Sequence, residues 1–107
     1  MNAHILDELF AEIKAKSGDD PGTSYTASLL ASAPEKPVRK LAEEVTETII
    51  EVMKGDKDAL AKESADLLYH LLVVWQSAGL SADDVWAVLK ERRGTSGLVE
   101  KANRSQT

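Results

Sequence analysis

Five acidic residues fall into two groups with the spacing expected for a divalent metal site. The first group comprises Glu43, Glu44 and Glu47, and the second comprises Glu63 and Asp66. Residues three or four positions apart on a helix are neighbours, so each group presents its carboxylates on one side. Carboxylate oxygens are the ligands that Mg²⁺ and Mn²⁺ prefer, and facing helices of a bundle hold such ions between them. The two groups therefore predict a site for Mg²⁺, with Mn²⁺ as a substitute.

The surroundings of the second group favour a metal ion over a purely structural role. The fourth helix is apolar nearly all round from Ala65 to Trp75, which indicates burial on most sides. A carboxylate in such a helix is costly unless a cation or a proton compensates it. Nearby basic residues are few, chiefly Lys40 and Lys62. Two other interpretations stay open: a solvated face of the third helix, and a salt-bridge network at an oligomer interface.

A short turn is expected to bring the two acidic groups together. The third helix ends at Gly55, a residue suited to a left-handed stop, and Asp56 caps the fourth helix, which runs to about Ala78. Because the connection is short, the two helices pack antiparallel. The carboxylates of the second group, about two turns into the fourth helix, then return beside those of the first.

Three further helices complete an all-α bundle of about five helices, and no strand is predicted. They are Ile5 to Lys16, Tyr25 to Ala31 after the cap Ser24, and a helix capped by Ser81 and Asp84 that runs to about Arg92. The domain is expected to span residues 1–93, with a tail at 94–107. The core face of the third helix is predicted from its apolar residues Val38, Leu41, Ala42, Val45, Ile49 and Val52.

Composition excludes several classes of protein. The chain has 107 residues, which fits one domain, and no cysteine, which excludes disulfides and thiolate metal sites. A net charge of -5 disfavours a nucleic-acid-binding protein, and a nucleotide would need divalent cations between its phosphates and the acidic chain. The longest apolar run, Leu71 to Trp75, is too short to cross a bilayer, and residues 1–10 lack a basic signal segment. A cytoplasmic protein without nucleic-acid or membrane partners is expected.

Several ring-bearing residues of the last two helices are open to more than one interpretation. His70 lies one turn beyond Asp66 on the same face, where a metal ligand, a hydrogen-bond partner of Asp66 and a satisfied core residue are all conceivable. A lone histidine on a buried helix is more often a satisfied core residue. Tyr69, Trp75 and Trp86 are assigned to the core or a dimer interface rather than to base stacking.

The acidic pattern resembles that of a known superfamily. Glu43-Glu44-x-x-Glu47 followed by Glu63-x-x-Asp66 is similar to the EExxE…ExxD motif of the all-α, MazG-like nucleotide pyrophosphohydrolases. The segments 24–26 (SYT), 40–44 (KLAEE) and 65–72 (ADLLYHLL) resemble the phosphoribosyl-ATP pyrophosphatase family more specifically. The resemblance covers residues 5–93. It departs at Ala42, where the family commonly has glycine, and slightly less backbone room is expected there.

The resemblance implies a reaction and assigns roles to the acidic residues. The reaction is hydrolysis of the α–β phosphoanhydride of phosphoribosyl-ATP to phosphoribosyl-AMP and pyrophosphate, in histidine biosynthesis. The metal ligands carried over by the motif are Glu44, Glu47, Glu63 and Asp66. Glu43 is an outer ligand or helps to position water, so that Glu43 and Glu47 are the expected catalytic residues. Lys36 and Lys40 lie where phosphate oxygens would bind.

The resemblance also implies a homodimer and leaves two rival functions. Members of the superfamily usually complete each pocket with helices from two chains, and one small chain can hardly cover this much apolar surface alone. One rival is a house-cleaning pyrophosphatase for a non-canonical or deoxy nucleoside triphosphate, which would share the acidic cluster. The other is a non-enzymatic helical interaction module, in which the acidic residues would pair with basic ones and bind no metal.

Overall fold

A computed structural model describes residues 4–93 of the chain, and within that range it contains helices and no strand. The helices are α1 (Ile5–Ala15), α2 (Tyr25–Ala31), α3 (Glu35–Lys54), α4 (Lys57–Ser77) and α5 (Ala82–Arg92). The predicted all-α bundle of five helices is therefore confirmed. The predicted tail, 94–107, lies outside the described residues, as do residues 1–3, so the domain boundary at 93 stays a prediction.

Helices α3 and α4 form a hairpin with a two-residue turn. Gly55 ends α3 in the left-handed conformation, with φ 74°, and its N–H donates to the carbonyl oxygens of Glu51 and Val52, both at 3.1 Å. Glycine suits this position because it has no Cβ to clash. Asp56 then caps α4, its Oδ1 accepting from the N–H of Ala59 at 3.0 Å. Both predicted signals are confirmed, and the two longest helices run side by side.

The face of α3 that packs on α4 differs from the predicted core face. The residues of α3 that are buried or half-buried along this contact are Pro37, Leu41, Glu44, Thr48 and Glu51. Of the six residues predicted for the core face, only Leu41 lies on this contact, and Ala42 is exposed. The other four, which are larger, are exposed by 40–55% of their surface: Val38, Val45, Ile49 and Val52. We call these four residues the outer stripe. The prediction was wrong for the single chain because the short turn places α4 against the acidic side of α3, about a quarter of a turn from the outer stripe.

The buried core joins α1, α2 and α4. Its fully buried members are Ile13, Leu29, Leu72 and Val73. The prediction that α4 is the buried centre holds for Leu72 and Val73, whereas Leu68 on another side is 41% exposed. Burial of α4 is therefore less complete in the single chain than its all-round apolar sequence predicts.

Helix α5 is attached to the bundle through its tryptophan. Trp86 packs edge-on against Trp75 of α4, with ring centroids 5.7 Å apart, and its Nε1–H donates to Asp7 Oδ1 of α1 at 2.6 Å. The capping box of Ser81 and Asp84 at the start of α5 is present as predicted. Both tryptophans are half-buried, and Trp75 packs against the buried core, so the choice between core and dimer interface that the sequence left open stays a prediction. Within residues 4–93, no helix combines the length and apolar character that spanning a membrane requires.

Candidate metal and substrate site

Carboxylates from α3 and α4 converge within the hairpin. Glu44 of α3 and Glu63 and Asp66 of α4 each place a carboxylate oxygen within 4.8 Å of the other two. We call these three residues the acidic cluster. The antiparallel hairpin produces the convergence, because it lays the second turn of α4 beside the middle of α3. The structure thus brings together three of the four residues that the sequence proposed as metal ligands.

The acidic cluster is closed on one side and open on the other. Oε2 of Glu44 and Oε2 of Glu63 are buried and accept no hydrogen bond from any described residue. Asp66 is exposed to solvent. Buried polar groups normally have partners, and a buried carboxylate without one is costly. Two of the lysines of α3 pair with other carboxylates, Lys40 with Glu43 and Lys54 with Glu51. A divalent cation fits the cluster because all three donors are carboxylate oxygens, the hard ligands of Mg²⁺ and Mn²⁺.

Mutual proximity makes full ionisation of these carboxyl groups unfavourable. Burial, followed by the neighbouring carboxyls of Glu47 and Glu44, raises the pKa of Glu63 to about 7. Burial also raises the pKa of Glu44, the charges of Glu47 and Asp66 add to this rise, and the neighbouring carboxyl of Glu63 opposes it. Without a cation, the site therefore retains protons at a pH where isolated carboxyls have lost them.

Glu47, the fourth predicted ligand, lies at the solvent edge of the acidic cluster. It is exposed, and it is close enough to raise the pKa of both Glu44 and Glu63. It follows Glu44 by three positions, so the two side chains share one side of α3. Glu47 borders the site without belonging to the three residues whose oxygens converge.

The remaining predicted site residues are Lys36, Lys40 and Glu43. They lie together on one flank of α3, the side away from the outer stripe. Lys40 Nζ contacts Glu43 Oε2 at 3.3 Å, so these two residues form an ion pair beside the acidic cluster. Lys36 is half-buried and lies one turn before Lys40, towards the start of α3. The flank therefore carries two lysines followed by the acidic residues, on the side away from the outer stripe.

Comparison with known proteins identifies the family. The model of the phosphoribosyl-ATP pyrophosphohydrolase family matches residues 6–93. The chain belongs to this family. The match is nearly coextensive with residues 5–93, over which the sequence resembles the family, and the predicted membership is confirmed.

Similar relatives support the membership along almost the full chain. A protein of Azospirillum brasilense named phosphoribosyl-ATP pyrophosphatase is 52% identical over 101 residues, covering 94% of this chain and 91% of the relative. Relatives of the same name from Jannaschia sp. (strain CCS1) and Ruegeria pomeroyi are 54% and 50% identical. The match to the Jannaschia protein covers 92% of this chain and 97% of the relative. The match to the Ruegeria protein covers 94% of this chain and 95% of the relative.

In this phosphoribosyl-ATP pyrophosphohydrolase family member, His70 is a satisfied core residue. His70 is 6% exposed, and its Nδ1 lies 2.8 Å from the backbone oxygen of Asp66. Because that carbonyl can only accept, Nδ1 donates to it, and Nε2 is hydrogen-bonded to the hydroxyl of Tyr25, 3.3 Å away. Both ring nitrogens are therefore occupied. The favoured interpretation is confirmed, and the link to Asp66 runs through its backbone.

A second hydrogen bond adjoins that of His70. The hydroxyls of Thr26 and Tyr69 lie 2.5 Å apart, and Thr26 is 6% exposed. Burial raises the pKa of Tyr69, so its hydroxyl stays protonated. We call these two hydrogen bonds, Tyr25–His70 and Thr26–Tyr69, the α2–α4 polar contact. The sequence placed these residues in a family motif, but spacing along the chain carried no signal that they pair with one another.

Sequence reasoning counted Thr48 in the family resemblance but assigned it no role; its hydroxyl lies between the two helices at the level of the acidic cluster. It donates to the backbone oxygen of Glu44 at 2.7 Å and lies 3.5 Å from that of Glu63. A threonine in a helix gives no indication from sequence that its hydroxyl faces a neighbouring helix. The contact became visible only when the facing side of α3 was known.

Proposed function

We propose that this protein hydrolyses phosphoribosyl-ATP to phosphoribosyl-AMP and pyrophosphate, as a step of histidine biosynthesis. Water enters and the α–β phosphoanhydride breaks. Family membership and the names of the relatives support this reaction. The observation that carries the proposal within the molecule is the pair of buried, unpartnered oxygens of Glu44 and Glu63, which face each other across the hairpin. A cytoplasmic location, where such a substrate would be met, is part of the proposal.

The proposed cofactor is Mg²⁺, with Mn²⁺ as a substitute. Glu44, Glu63 and Asp66 would hold it, with Glu47 as a fourth ligand at the solvent edge. When bound, the ion supplies charge that lowers the pKa of water and stabilises the leaving pyrophosphate. Without a cation, an acidic site would repel the triphosphate of the substrate. The openness of the cluster at Asp66 gives the phosphates a direction of approach.

The residues on the flank of α3 are proposed to orient the substrate and the water. Lys40 and Lys36 would bind phosphate oxygens, since both lie on the flank that adjoins the acidic cluster. Lys40 would exchange its ion pair with Glu43 for a phosphate, which frees the Glu43 carboxylate to accept a hydrogen bond from water or to act as an outer ligand. Positioning and charge stabilisation of this kind account for most of the rate in phosphoryl-group hydrolysis.

The proposed assembly is a homodimer. The outer stripe leaves four apolar side chains on one line of α3 exposed, and Leu68 of α4 is also exposed. An extended apolar surface of this kind on a small domain marks an interaction site. A second copy of the chain would cover it and complete the pocket on the substrate side. Light scattering coupled to size-exclusion chromatography measures the mass directly, and a monomer at micromolar concentration would contradict the dimer.

The decisive experiment is pyrophosphate release, measured with and without Mg²⁺. The substrates are phosphoribosyl-ATP and a panel of ordinary and deoxy nucleoside triphosphates. Release from phosphoribosyl-ATP that requires Mg²⁺, with little from the panel, is the expected result. Release mainly from an ordinary or deoxy triphosphate would retain the metal site but assign the protein to nucleotide-pool cleaning. The absence of release from every substrate would favour a helical interaction module.

A further inference from the structure

The hydroxyl of Thr48 contacts the backbone of both residues that present the buried carboxylates. Thr48 follows Glu44 by one turn of α3, and its Oγ1 donates to the Glu44 carbonyl oxygen at 2.7 Å. The same oxygen lies 3.5 Å from the carbonyl oxygen of Glu63 on α4. Thr48 is half-buried on the face of α3 that packs against α4. One small side chain therefore stands where the two helices meet, at the level of the acidic cluster.

The size and polarity of Thr48 both bear on how closely α3 and α4 approach. A hydroxyl has a single proton, and the shorter contact shows that it is given mainly to Glu44, with Glu63 as a weak second acceptor. A methyl group in the same place would stand against two carbonyl oxygens without a hydrogen bond to either. The helices would then move apart, and the carboxylates attached to them would separate.

Thr46 provides a control within the same helix. Its Oγ1 donates to the backbone oxygen of Ala42 at 3.3 Å, which is the same bond to the fourth preceding residue that Thr48 makes. Thr46 is exposed on the side of α3 away from α4. The two threonines therefore share residue type, helix and local bond, and they differ in whether a second helix faces them.

We propose that Thr48 is a positioning residue that sets the separation of α3 and α4 at the acidic cluster and thereby the affinity of the site for a divalent cation. This inference rests on the proposed function, because it takes the cluster to be the cation site. Residues that orient metal ligands without touching the metal change metal affinity by about 10- to 100-fold when they are substituted. Thr48 acts in this way through the backbone of Glu44 and Glu63.

The test is calorimetric titration of Mn²⁺ into the metal-free protein, without substrate. Thr48→Val replaces the hydroxyl by a methyl group of similar shape, and we expect it to weaken Mn²⁺ binding by about tenfold or more. Thr48→Ser keeps the hydroxyl and should bind Mn²⁺ within about twofold of the unsubstituted chain. Thr46→Val makes the same chemical change away from α4 and should also stay within about twofold. Thr48→Ala removes the contact without adding bulk, so it provides the same measurement if valine prevents folding.

The melting temperature of each metal-free variant separates positioning from general stability. A purely structural role would lower the melting temperature of Thr48→Val and leave its Mn²⁺ affinity unchanged, which would overturn the inference. An equal loss of affinity in Thr46→Val would overturn it too, because the effect would then belong to the helix as a whole. If the unsubstituted chain binds no Mn²⁺, the proposed cation site itself fails and the role of Thr48 with it. If the unsubstituted chain binds Mn²⁺ and neither Thr48→Val nor Thr48→Ala weakens that binding, this inference alone is overturned.

Discussion

Helix α4 places polar side chains at its contacts with two other helices, about two turns apart, and only one of the two sets has all of its partners. Tyr69 and His70 face α2, where the tyrosine hydroxyl and both nitrogens of the imidazole ring have hydrogen-bond partners. Glu63 faces α3, where buried oxygens of Glu63 and Glu44 have no partner among the described residues. The α2–α4 polar contact is completed by folding alone. The acidic cluster keeps two buried oxygens for which residues 4–93 supply no partner.

The difference shows how a structural polar contact is told apart from a functional one. Chains satisfy nearly all of their buried polar atoms, so an unsatisfied group marks a place where stability has been given up. Burial, together with repulsion between neighbouring carboxylates, disfavours ionisation in the acidic cluster, as the raised pKa values of Glu44 and Glu63 show. The α2–α4 polar contact stabilises the fold. Substitutions in the acidic cluster should therefore lower activity without lowering stability. Substitutions in the α2–α4 polar contact should lower stability.

The largest expected effect is the loss of turnover on removal of a carboxylate from the acidic cluster. Glu63→Gln keeps the shape of the side chain but removes a ligand charge. We expect pyrophosphate release from phosphoribosyl-ATP to fall by at least about 100-fold in kcat/KM. The metal-free variant should melt at or above the temperature of the unsubstituted chain, because one repelling charge is gone.

Glu51→Gln is the matched control for this substitution. Glu51 is also half-buried on the α4-facing side of α3, but it pairs with Lys54 rather than with the acidic cluster. Its activity should stay within a few-fold of the unsubstituted chain. Glu47→Gln extends the test to the solvent edge, and turnover should again be lost. Near-normal activity of Glu47→Gln at saturating Mg²⁺ would remove Glu47 from the set of ligands.

The second expected effect is a pH-dependent stabilisation by Mg²⁺. The pKa of Glu63 is raised from 4.5 to about 7, so the folded chain favours the neutral acid. Without metal, stability therefore falls as pH rises from 4.5 and the penalty is complete above 7. Mg²⁺ requires the ionised form, so its stabilising effect should be small at low pH and complete above the raised pKa.

Melting curves with and without Mg²⁺ measure this linkage. At a concentration of about 100 times Kd, a ligand stabilises the folded state by about 2.7 kcal/mol, which corresponds to roughly 10 °C or more in a domain of this size. We expect a shift of that order at about pH 8 and a much smaller one at about pH 5.5. Equal shifts at both pH values would show that Mg²⁺ binds somewhere other than the raised-pKa carboxyls.

The smallest expected effect is a loss of stability in the α2–α4 polar contact. Tyr69→Phe leaves the buried hydroxyl of Thr26 without its partner and should cost about 1–2 kcal/mol in free energy of unfolding. Tyr25→Phe removes the hydroxyl of a half-exposed tyrosine from a longer hydrogen bond, and a smaller cost is expected. Denaturant unfolding gives both values. A reversed order would mean that the His70 hydrogen bond is the more important of the two.

Local signals in the sequence predicted the helices and their ends. Gly55 and the Ser81–Asp84 capping box act within a few residues of chain, so their effect is visible without knowledge of the fold. The facing side of α3 was not predictable in this way. Helix α3 has one apolar face and one acidic face. The periodicity of the sequence separates these two faces but does not show which of them packs against α4. Val38 and Ile49 were therefore assigned to the core and are exposed.

The acidic cluster was largely predictable, whereas its surroundings were not. Glu44, Glu63 and Asp66 meet because a short turn joins two helices, and turn length is readable from sequence. The hydrogen bond between Tyr25 and His70 joins residues 45 positions apart, and no local pattern predicts a pairing over that separation. No role was predicted for Thr48 for a related reason, since its contacts depend on which helix lies opposite.

The two-residue turn at Gly55 and Asp56 has a consequence for the order in which the chain folds. Closing so short a loop costs little chain entropy, and contacts between neighbours in sequence form early. The repelling carboxylates of α3 and α4 therefore meet at an early stage, before distant segments such as α1 and α5 have to find each other. A divalent cation would then relieve the repulsion during folding itself. Stopped-flow refolding should be faster with Mg²⁺ than without it, and an unchanged refolding rate would place assembly of the site after the rate-limiting step.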